Sequence, residues 1–508
     1  MSYLLGIDNG TTVSKAALFD LEGRELATAG MGADTLYPYP GWTERSMDQL
    51  WQTTAQAVRA VLAQSGVNPR EIVAIGNTGH GNGLYLLDKH GQPVRNGIQS
   101  LDIRAADLLE ARKAHDIQGQ AFPYILQEFW PGQPQALLPW IKANEPEVYA
   151  RIGHILLCKD YIKFRLTGVI TTDYTDISGT GLLDNAGRRY SRGLLELYGI
   201  PEMLDALPPL ALSHEIIGRV TAEAARETGL AEGTPVAGGM FDVDAGAVGS
   251  GIIEPGTLCI IAGSWSINEV LIDRPVEDRD LAMVSIAPIP DRWLVLEASA
   301  TSATNLEWFV QHFCGDERQE AAARGVSVFD IINEKVASLP PGSGGVFFHP
   351  FLYGSNVQAT ARAGFYGMAG WHTKAHLLRA LYEGVVYSHL SHVDKLRKLG
   401  PLSVARITGG GARSPVWTQI FADALNMTME VAEGGEVSAR GAAMAAGIAV
   451  GAYRDYADAV QKAVRVIRRQ PPNAEHTPRY LERYQVYREL LEVMQRPWAT
   501  LSRLADGG

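Results

Sequence analysis

Two carboxylates and three turns built on small residues carry the residue types that phosphoryl chemistry uses. Asp8 closes the apolar run Leu4-Leu5-Gly6-Ile7 and leads into Asn9-Gly10-Thr11-Thr12. The glycine lets the backbone approach an anion, and the hydroxyls and N–H groups of Gly10, Thr11 and Thr12 can donate to it. Asp8 can hold Mg²⁺ through water. The same pattern also describes an ordinary β-hairpin. Asp242 follows Gly239-Met240-Phe241 and precedes the small-residue run from Val243 to Gly249. A carboxylate there can take a proton from a substrate hydroxyl or merely cap a helix. Spacing alone fits the cap better, and Asp244 competes for the role of base.

The second turn is Thr408-Gly409-Gly410-Gly411, followed by Ser414 and Pro415. Three consecutive glycines strip every Cβ from the passage between a strand and a helix whose start is marked by Ser and Pro. A flat ligand or a phosphate can lie on such a backbone at a helix N-terminus. The third turn, Gly263-Ser264, ends the apolar run 258–262 and echoes the start of the chain, a hint of two related halves. The run 438–451 is rich in Gly and Ala and reads as a close-packed core helix.

These residues need elements to hold them. Residues 1–30 read as a β-meander, 48–64 as a helix with apolar residues at helical spacing, and 72–76 as a short buried strand. Gly79-His80-Gly81-Asn82-Gly83 is a turn before the strand 84–87. Residues 136–148 read as a helix stopped near Pro146, and 155–166 as a strand that continues into a helix. The Ser-, Thr- and Gly-rich segment 174–183 reads as a loop at a site or an interface. Strands and helices alternate, which argues an α/β class. The tail 471–508 reads as a charged helix with Tyr480, Tyr484 and Tyr487 on one face.

Composition narrows the classes. The chain of 508 residues is too long for one core, and its 46% hydrophobic and 20% charged residues are those of a globular protein. A net charge of −11 with no basic run argues against nucleic acid, so any phosphate site is built locally. The 3 cysteines show no paired or metal-ligand spacing and point to a reducing, cytoplasmic setting. The N-terminus lacks a basic leader, and 442–452 is too short to cross a bilayer, so neither export nor a membrane is expected. No Gly-Lys-Ser/Thr, His-Arg-Asp or Asp-Phe-Gly occurs, which sets aside P-loop enzymes and protein kinases.

Taken in order, the pieces resemble the FGGY family of carbohydrate kinases, within the actin-like, Hsp70-like and sugar-kinase superfamily. The resemblance rests on Gly6 to Thr12, Lys159-Asp160-Tyr161 through Gly168, Ser178 to Leu182, Gly239 to Gly249, Glu383-Gly384-Val385 and Thr408 to Asp423. It implies two RNase H-like α/β domains of the actin-like ATPase fold around a central cleft. Residues 1–248 would bind sugar and carry the metal and phosphate turn, 249–455 would bind nucleotide, and 456–508 would be a helical extension packed on the second domain. It implies transfer of the ATP γ-phosphoryl group to a sugar hydroxyl, with Mg²⁺. Asp242 falls at the catalytic-base position and Asp8 at the metal-associated carboxylate. Gly10, Thr11, Thr12 and Lys15 fall at the phosphate turn, Gly263 and Ser264 at a second phosphate turn, and Gly410 and Gly411 at the nucleotide. A homodimer is a family-level expectation.

Departures from the family bear on the substrate. Glycerol kinases carry an Arg-Glu pair where this chain has Gly81 and Asn82, and common xylulose kinases carry Met-His-Gly where it has Gly81-Asn82-Gly83. The usual Gly-Glu-Arg of the second domain is replaced by Gly354-Ser355-Asn356. Asn82 is therefore expected to meet the substrate, with Asp102, Trp130 and Asp242 alongside. The strings 303–309, 351–356 and 364–368 look most like those of kinases acting on L-xylulose, so a ketopentose is expected. Another pentulose, a small polyol such as erythritol, or a nucleotide-gated sugar-binding regulator on the same scaffold are the alternatives.

Overall fold

The computed structural model describes residues 2–355 and 357–506, so Asn356 of the Gly354-Ser355-Asn356 departure lies outside the described residues. The chain forms two compact α/β units. One holds the residues up to Ile253 with Leu271–Val295 and Gly434–Val464, and the other holds Glu254–Val270, Leu296–Glu433 and the chain from Arg465 onward. The units are thus not contiguous in sequence, unlike the expected 1–248 and 249–455. The glycine- and alanine-rich helix Val437–Ala449, expected in the second domain, packs in the first unit.

In the first unit, β1 (Tyr3–Asn9), β2 (Val13–Asp20) and β3 (Glu25–Gly32) form the antiparallel meander that the sequence suggests. Helix α1 (Met47–Ser65) starts at Ser46, whose side chain accepts from the Gln49 N–H, and ends at Gly66 with a φ of 64°. Strand β4 (Ile72–Gly79) pairs parallel with β1, placing Asp8 level with Thr78. Its almost unbroken burial is what a parallel strand covered on both faces requires. Further along come α2 (Cys158–Thr167), α3 (Tyr174–Ser178), β5 (Ile216–Arg219), β6 (Pro235–Ala237), β7 (Met240–Phe241) and α4 (Asp242–Gly249). The sheet order is β5-β6-β4-β1-β2-β3, with β7 also pairing β4. The loop expected over 174–183 is instead buried and opens with α3; its hydroxyl residues serve internal bonds rather than solvent.

The helix Val437–Ala449 reaches this sheet because glycines let it. A Cβ on Gly6 would lie 2.0 Å from the Ala439 carbonyl oxygen, and one on Gly76 would lie 1.9 Å from that of Ala442. Gly441 would likewise meet the Ala245 oxygen of α4 at 2.0 Å. Helix and strands therefore touch backbone to backbone.

In the second unit, β8 (Thr257–Ala262) pairs antiparallel with β9 (Ser266–Ile272) and parallel with β10 (Val404–Thr408). That is the arrangement of β1 with β2 and β4, so the echo of two halves in the sequence has a topological counterpart. Helix α5 (Thr304–Phe313) follows. Ser414 caps α6 (Pro415–Leu425) by accepting from the Trp417 N–H at 3.0 Å, as the Ser-Pro signal predicts. Strands β11 (Thr428–Ala432) and β12 (Val466–Gln470) extend the sheet in the order β9-β8-β10-β11-β12. The tail helix α7 (Thr477–Asp506) packs in this unit, with the Arg379 guanidinium donating to the Tyr480 hydroxyl at 2.7 Å.

Candidate active site

The turn after β1 is shaped by what lies behind it. The buried Arg45 guanidinium donates to the Gly10 carbonyl at 3.0 Å and to Ser14 Oγ at 2.8 Å. Gln99 Nε2 donates to the Thr11 carbonyl at 2.7 Å, and the Ala33 N–H to that of Thr12 at 2.9 Å. Three consecutive carbonyls are thereby drawn back, and because the Gly10 N–H is itself spent on the Val13 carbonyl at 3.0 Å, the donors such a turn offers an anion come from Thr11 and Thr12. A Cβ on Gly10 would meet only the Val13 oxygen at 3.5 Å, so internal packing does not demand glycine there.

Asp8 and Lys15 face each other across the β1–β2 pair. Burial pushes the Asp8 carboxyl up to about 6, with Lys15 pulling it down and Glu436 pushing it up. Lys15 is itself bound to Glu436 at 3.0 Å.

Asp242 is the first residue of α4, and Phe241 holds the cap position without a side-chain bond. The carboxylate thus sits one residue inside the cap position that spacing suggested, where its own N–H and that of Val243 bond to it. Burial raises its pKa well above the ordinary range, and the charges of Asp8 and Asp176 add to the rise, while the N–H groups of Val243 and Asp242 oppose it. Asp242 keeps partial exposure, whereas Asp244 is 1% exposed with neither carboxylate oxygen hydrogen-bonded. Of the two, Asp242 alone has access to an outside reactant.

The three turns expected at the substrate are sewn together. The Gly83 N–H donates to the Gly132 carbonyl at 2.9 Å, Leu84 pairs with Ile98, and the Asp102 N–H reaches the Gln99 carbonyl. These bonds bring the turns of Asn82, Asp102 and Trp130 side by side. Asn82 sits at φ 60° and is 2% exposed, and its Oδ1 has no hydrogen-bond partner. A buried amide oxygen without a donor is costly unless something supplies one. Asp102 is the opposite case. Its Oδ1 accepts from Arg104 N and Nε, and its Oδ2 from the Thr43 N–H and Arg104 Nη2, which fills both oxygens. Trp130 is half-buried, with its N–H donating to Gln133 Oε1 at 3.1 Å.

In the second unit the two expected turns meet. The Ala303 N–H donates to the Gly263 carbonyl at 2.9 Å and the Ser302 N–H to that of Ser264 at 3.2 Å, tying them to the start of α5. Gly409 has a φ of 85°, and a Cβ there would lie 3.1 Å from the Gly263 nitrogen. Gly411 is buried against Ala262, where a Cβ would come to 2.8 Å. Around Gly410 nothing lies within 4 Å. Backbone conformation and packing account for Gly409 and Gly411, whereas internal structure does not require the exposed Gly410.

Sequence reading missed Arg45, Glu436 and the cluster around Lys159. Lys159 Nζ lies 2.9 Å from Asp160, 2.6 Å from Asp173 and 3.0 Å from Asp176, all fully buried. Asp173 also accepts from the Thr175 N–H at 3.0 Å, and Thr175 Oγ1 accepts from the Phe241 N–H at 2.9 Å, one residue before Asp242. The acidic residues after Lys159 were a visible signal, but their convergence depends on α2 and α3 folding together. Among the described residues, no group of three or more His, Cys, Asp or Glu side chains is placed to hold a metal, and no helix is long and apolar enough to cross a membrane.

Residues 3–249 match the N-terminal domain of the FGGY family of carbohydrate kinases, and residues 258–450 match its C-terminal domain. The chain is 39% identical over 496 residues to the L-xylulose/3-keto-L-gulonate kinase of Escherichia coli strain K12, covering 97% of each. It is 38% identical over 497 residues to the probable L-xylulose kinase of Pasteurella multocida strain Pm70, covering 97% of this chain and 99% of the other. Among solved structures, the xylulose kinase from Rhodospirillum rubrum superposes with a TM-score of 0.87 at 28% identity, covering 98% of this chain and 100% of the other. The two domain matches follow one another across most of the chain, which belongs to the FGGY family of carbohydrate kinases.

Proposed function

We propose that this protein is an ATP-dependent pentulose kinase whose first substrate to test is L-xylulose. The observation that carries the substrate is the 39% identity, over 97% of both chains, with a kinase named for L-xylulose and 3-keto-L-gulonate. That name also puts 3-keto-L-gulonate beside the pentuloses as an acceptor. The chemistry is supported by Asp242, a carboxyl with outside access and a raised pKa at the head of a helix.

In this reading Asp242 takes the proton of the acceptor hydroxyl as its oxygen attacks the γ-phosphorus and ADP leaves. Phosphoryl transfer asks for position and charge neutralisation more than for covalent help. Thr11, Thr12 and Lys15 bind phosphate oxygens at the turn that Gly10 opens, as do Gly263 and Ser264, while Gly410, backed by the buried Gly411, forms the nucleotide floor. Asn82 Oδ1 receives a substrate hydroxyl and Trp130 flanks it. Asp102, already satisfied, shapes the turn through Arg104. The residues fit Mg²⁺ held through water and phosphate rather than by a protein cage. The Asp8 charge raises the cost of ionising Asp242, and Asp8 would hold the cation. The ion, when bound, neutralises phosphate charge.

The test is an ADP-release assay over L- and D-pentuloses, 3-keto-L-gulonate, erythritol and glycerol, with and without Mg²⁺. Sugar-dependent ADP and a phosphorylated pentulose are expected. Nucleotide binding without any product would instead mark a nucleotide-gated regulator.

A further inference from the structure

Phe241 stands one residue before Asp242 and is 7% exposed. Its ring occupies room left by Gly81 and lies in ordinary contact range of Gly179. A Cβ on Gly81 would fall 2.2 Å from Phe241 Cε2, and one on Gly179 would fall 3.7 Å from Cε1. No side chain fits at position 81 while the ring is there, because real Cβ contacts do not approach that closely. The ring is also held from behind: Phe241 pairs with Gly79 in the sheet, and its N–H donates to Thr175 Oγ1 at 2.9 Å. Next to Gly81 comes Asn82, with its positive φ and its buried, unpartnered Oδ1.

We propose that Phe241 is a specificity-determining wall of the acceptor pocket, its ring taking the space that a side chain at position 81 would fill. The inference rests on the kinase reading above and adds to it the origin of acceptor choice. The turn 80–83 presents a polar group, Asn82, to a hydroxyl, and the neighbouring aromatic ring presents an apolar surface to the C–H side of the same acceptor. A sugar whose carbon skeleton is bulkier at that side meets the ring. Phe241 therefore acts by shape, through the pair it makes with Gly81, while Asp242 handles the proton.

The pair gives a double-mutant test with purified full-length protein and L-xylulose. Phe241→Ala is expected to lower kcat/KM for the sugar by about tenfold, chiefly through KM, with KM for ATP unchanged within about twofold. Gly81→Ala is expected to cost about tenfold or more in the parent, since the ring must move, but less than about twofold in the Phe241→Ala background, where the space is open. Phe241→Leu, which keeps much of the volume, is expected to fall between parent and Phe241→Ala. Equal cost of Gly81→Ala in both backgrounds overturns the proposal, as does a Phe241→Ala enzyme with unchanged sugar KM. A parent enzyme that phosphorylates no sugar at all would overturn the kinase reading itself, and the acceptor wall with it.

Discussion

Lys15 and Glu436, 421 residues apart in the chain, are joined by an ion pair of 3.0 Å at the place where Lys15 faces Asp8 across the hairpin. The pair sets two opposed charges on one half-buried carboxyl: Lys15 stabilises its ionised form and Glu436 its neutral form. With Asp8 at about 6, a proton competes there with a bound cation. Affinity for Mg·ADP should therefore weaken as pH falls below that value, by at most about tenfold per pH unit. Asp8→Asn supplies the baseline for the nucleotide's own titration. Lys15→Met should move the midpoint up in pH and Glu436→Gln should move it down, as measured by calorimetry from pH 5 to 8. Shifts in the same direction would remove Asp8 from the nucleotide–metal site.

Asp242→Asn tests the base. The amide keeps the shape at the head of α4 and removes the proton acceptor, so kcat should fall by at least ~100-fold. Mg·ADP binding should stay within about threefold, because the phosphate-binding turns are untouched. In the parent enzyme, burial and the Asp8 charge hold Asp242 protonated to higher pH than an ordinary carboxylate. Activity on the sugar should accordingly rise with pH along a limb displaced above about 4. Turnover close to that of the parent in Asp242→Asn would end its assignment as base.

What could be read without the structure was local. The hairpin at Asp8, the capped helix after Gly411 and the strand leading to Asp242 are each written within a dozen residues, where period and turn chemistry act. Their likeness to one family then supplied roles that spacing alone left open, above all for Asp242. The segment 174–183, read as a loop at a site or an interface, lies beside Asp242 but opens with a buried helical turn, because Ser, Thr and Gly suit such a turn as well as a loop. Thr175 spends its hydroxyl on Phe241 and Asp173. Glu436, Arg45 and Phe241 were silent because each matters through a partner far along the chain. The non-contiguous units have the same origin. Gly6 and Gly76 look like weak points in strands until the helix Val437–Ala449 is laid on them.

That contact makes its own prediction. Gly441→Ala places a methyl 2.0 Å from the Ala245 oxygen, and neither helix can yield without moving backbone. A cost of about 1–3 kcal/mol or more is expected, seen as a lowered Tm. Gly410→Ala, with nothing within 4 Å, should leave Tm unchanged and act only on nucleotide affinity. A Gly441→Ala protein as stable as its parent would show that the helix does not rest on α4.

The buried ion cluster separates a pairing charge from an excess one. Lys159 serves Asp160, Asp173 and Asp176, while Lys163 contacts Asp160 at 2.9 Å, so three carboxylates share two ammonium groups. Asp176 carries the strain: burial and the neighbouring Asp173 and Asp160 raise it from 3.8 to about 7 against the pull of Lys159. Its folded pKa lies above its unfolded one, so the folded protein holds the extra proton, and the stability this group contributes at low pH is lost as pH rises from about 4 to about 7. Asp176→Asn removes that loss. The Tm of the variant relative to the parent should climb between pH 5 and 8, whatever the packing cost of the amide. Lys159→Met strips three buried carboxylates of their shared cation and should cost about 3–5 kcal/mol, enough to lower the soluble yield. Thermal melts of parent and Asp176→Asn at pH 5, 6.5 and 8 decide the matter. A Tm difference that stays flat across this range would mean that Asp176 is ionised throughout and that Lys159 balances it fully.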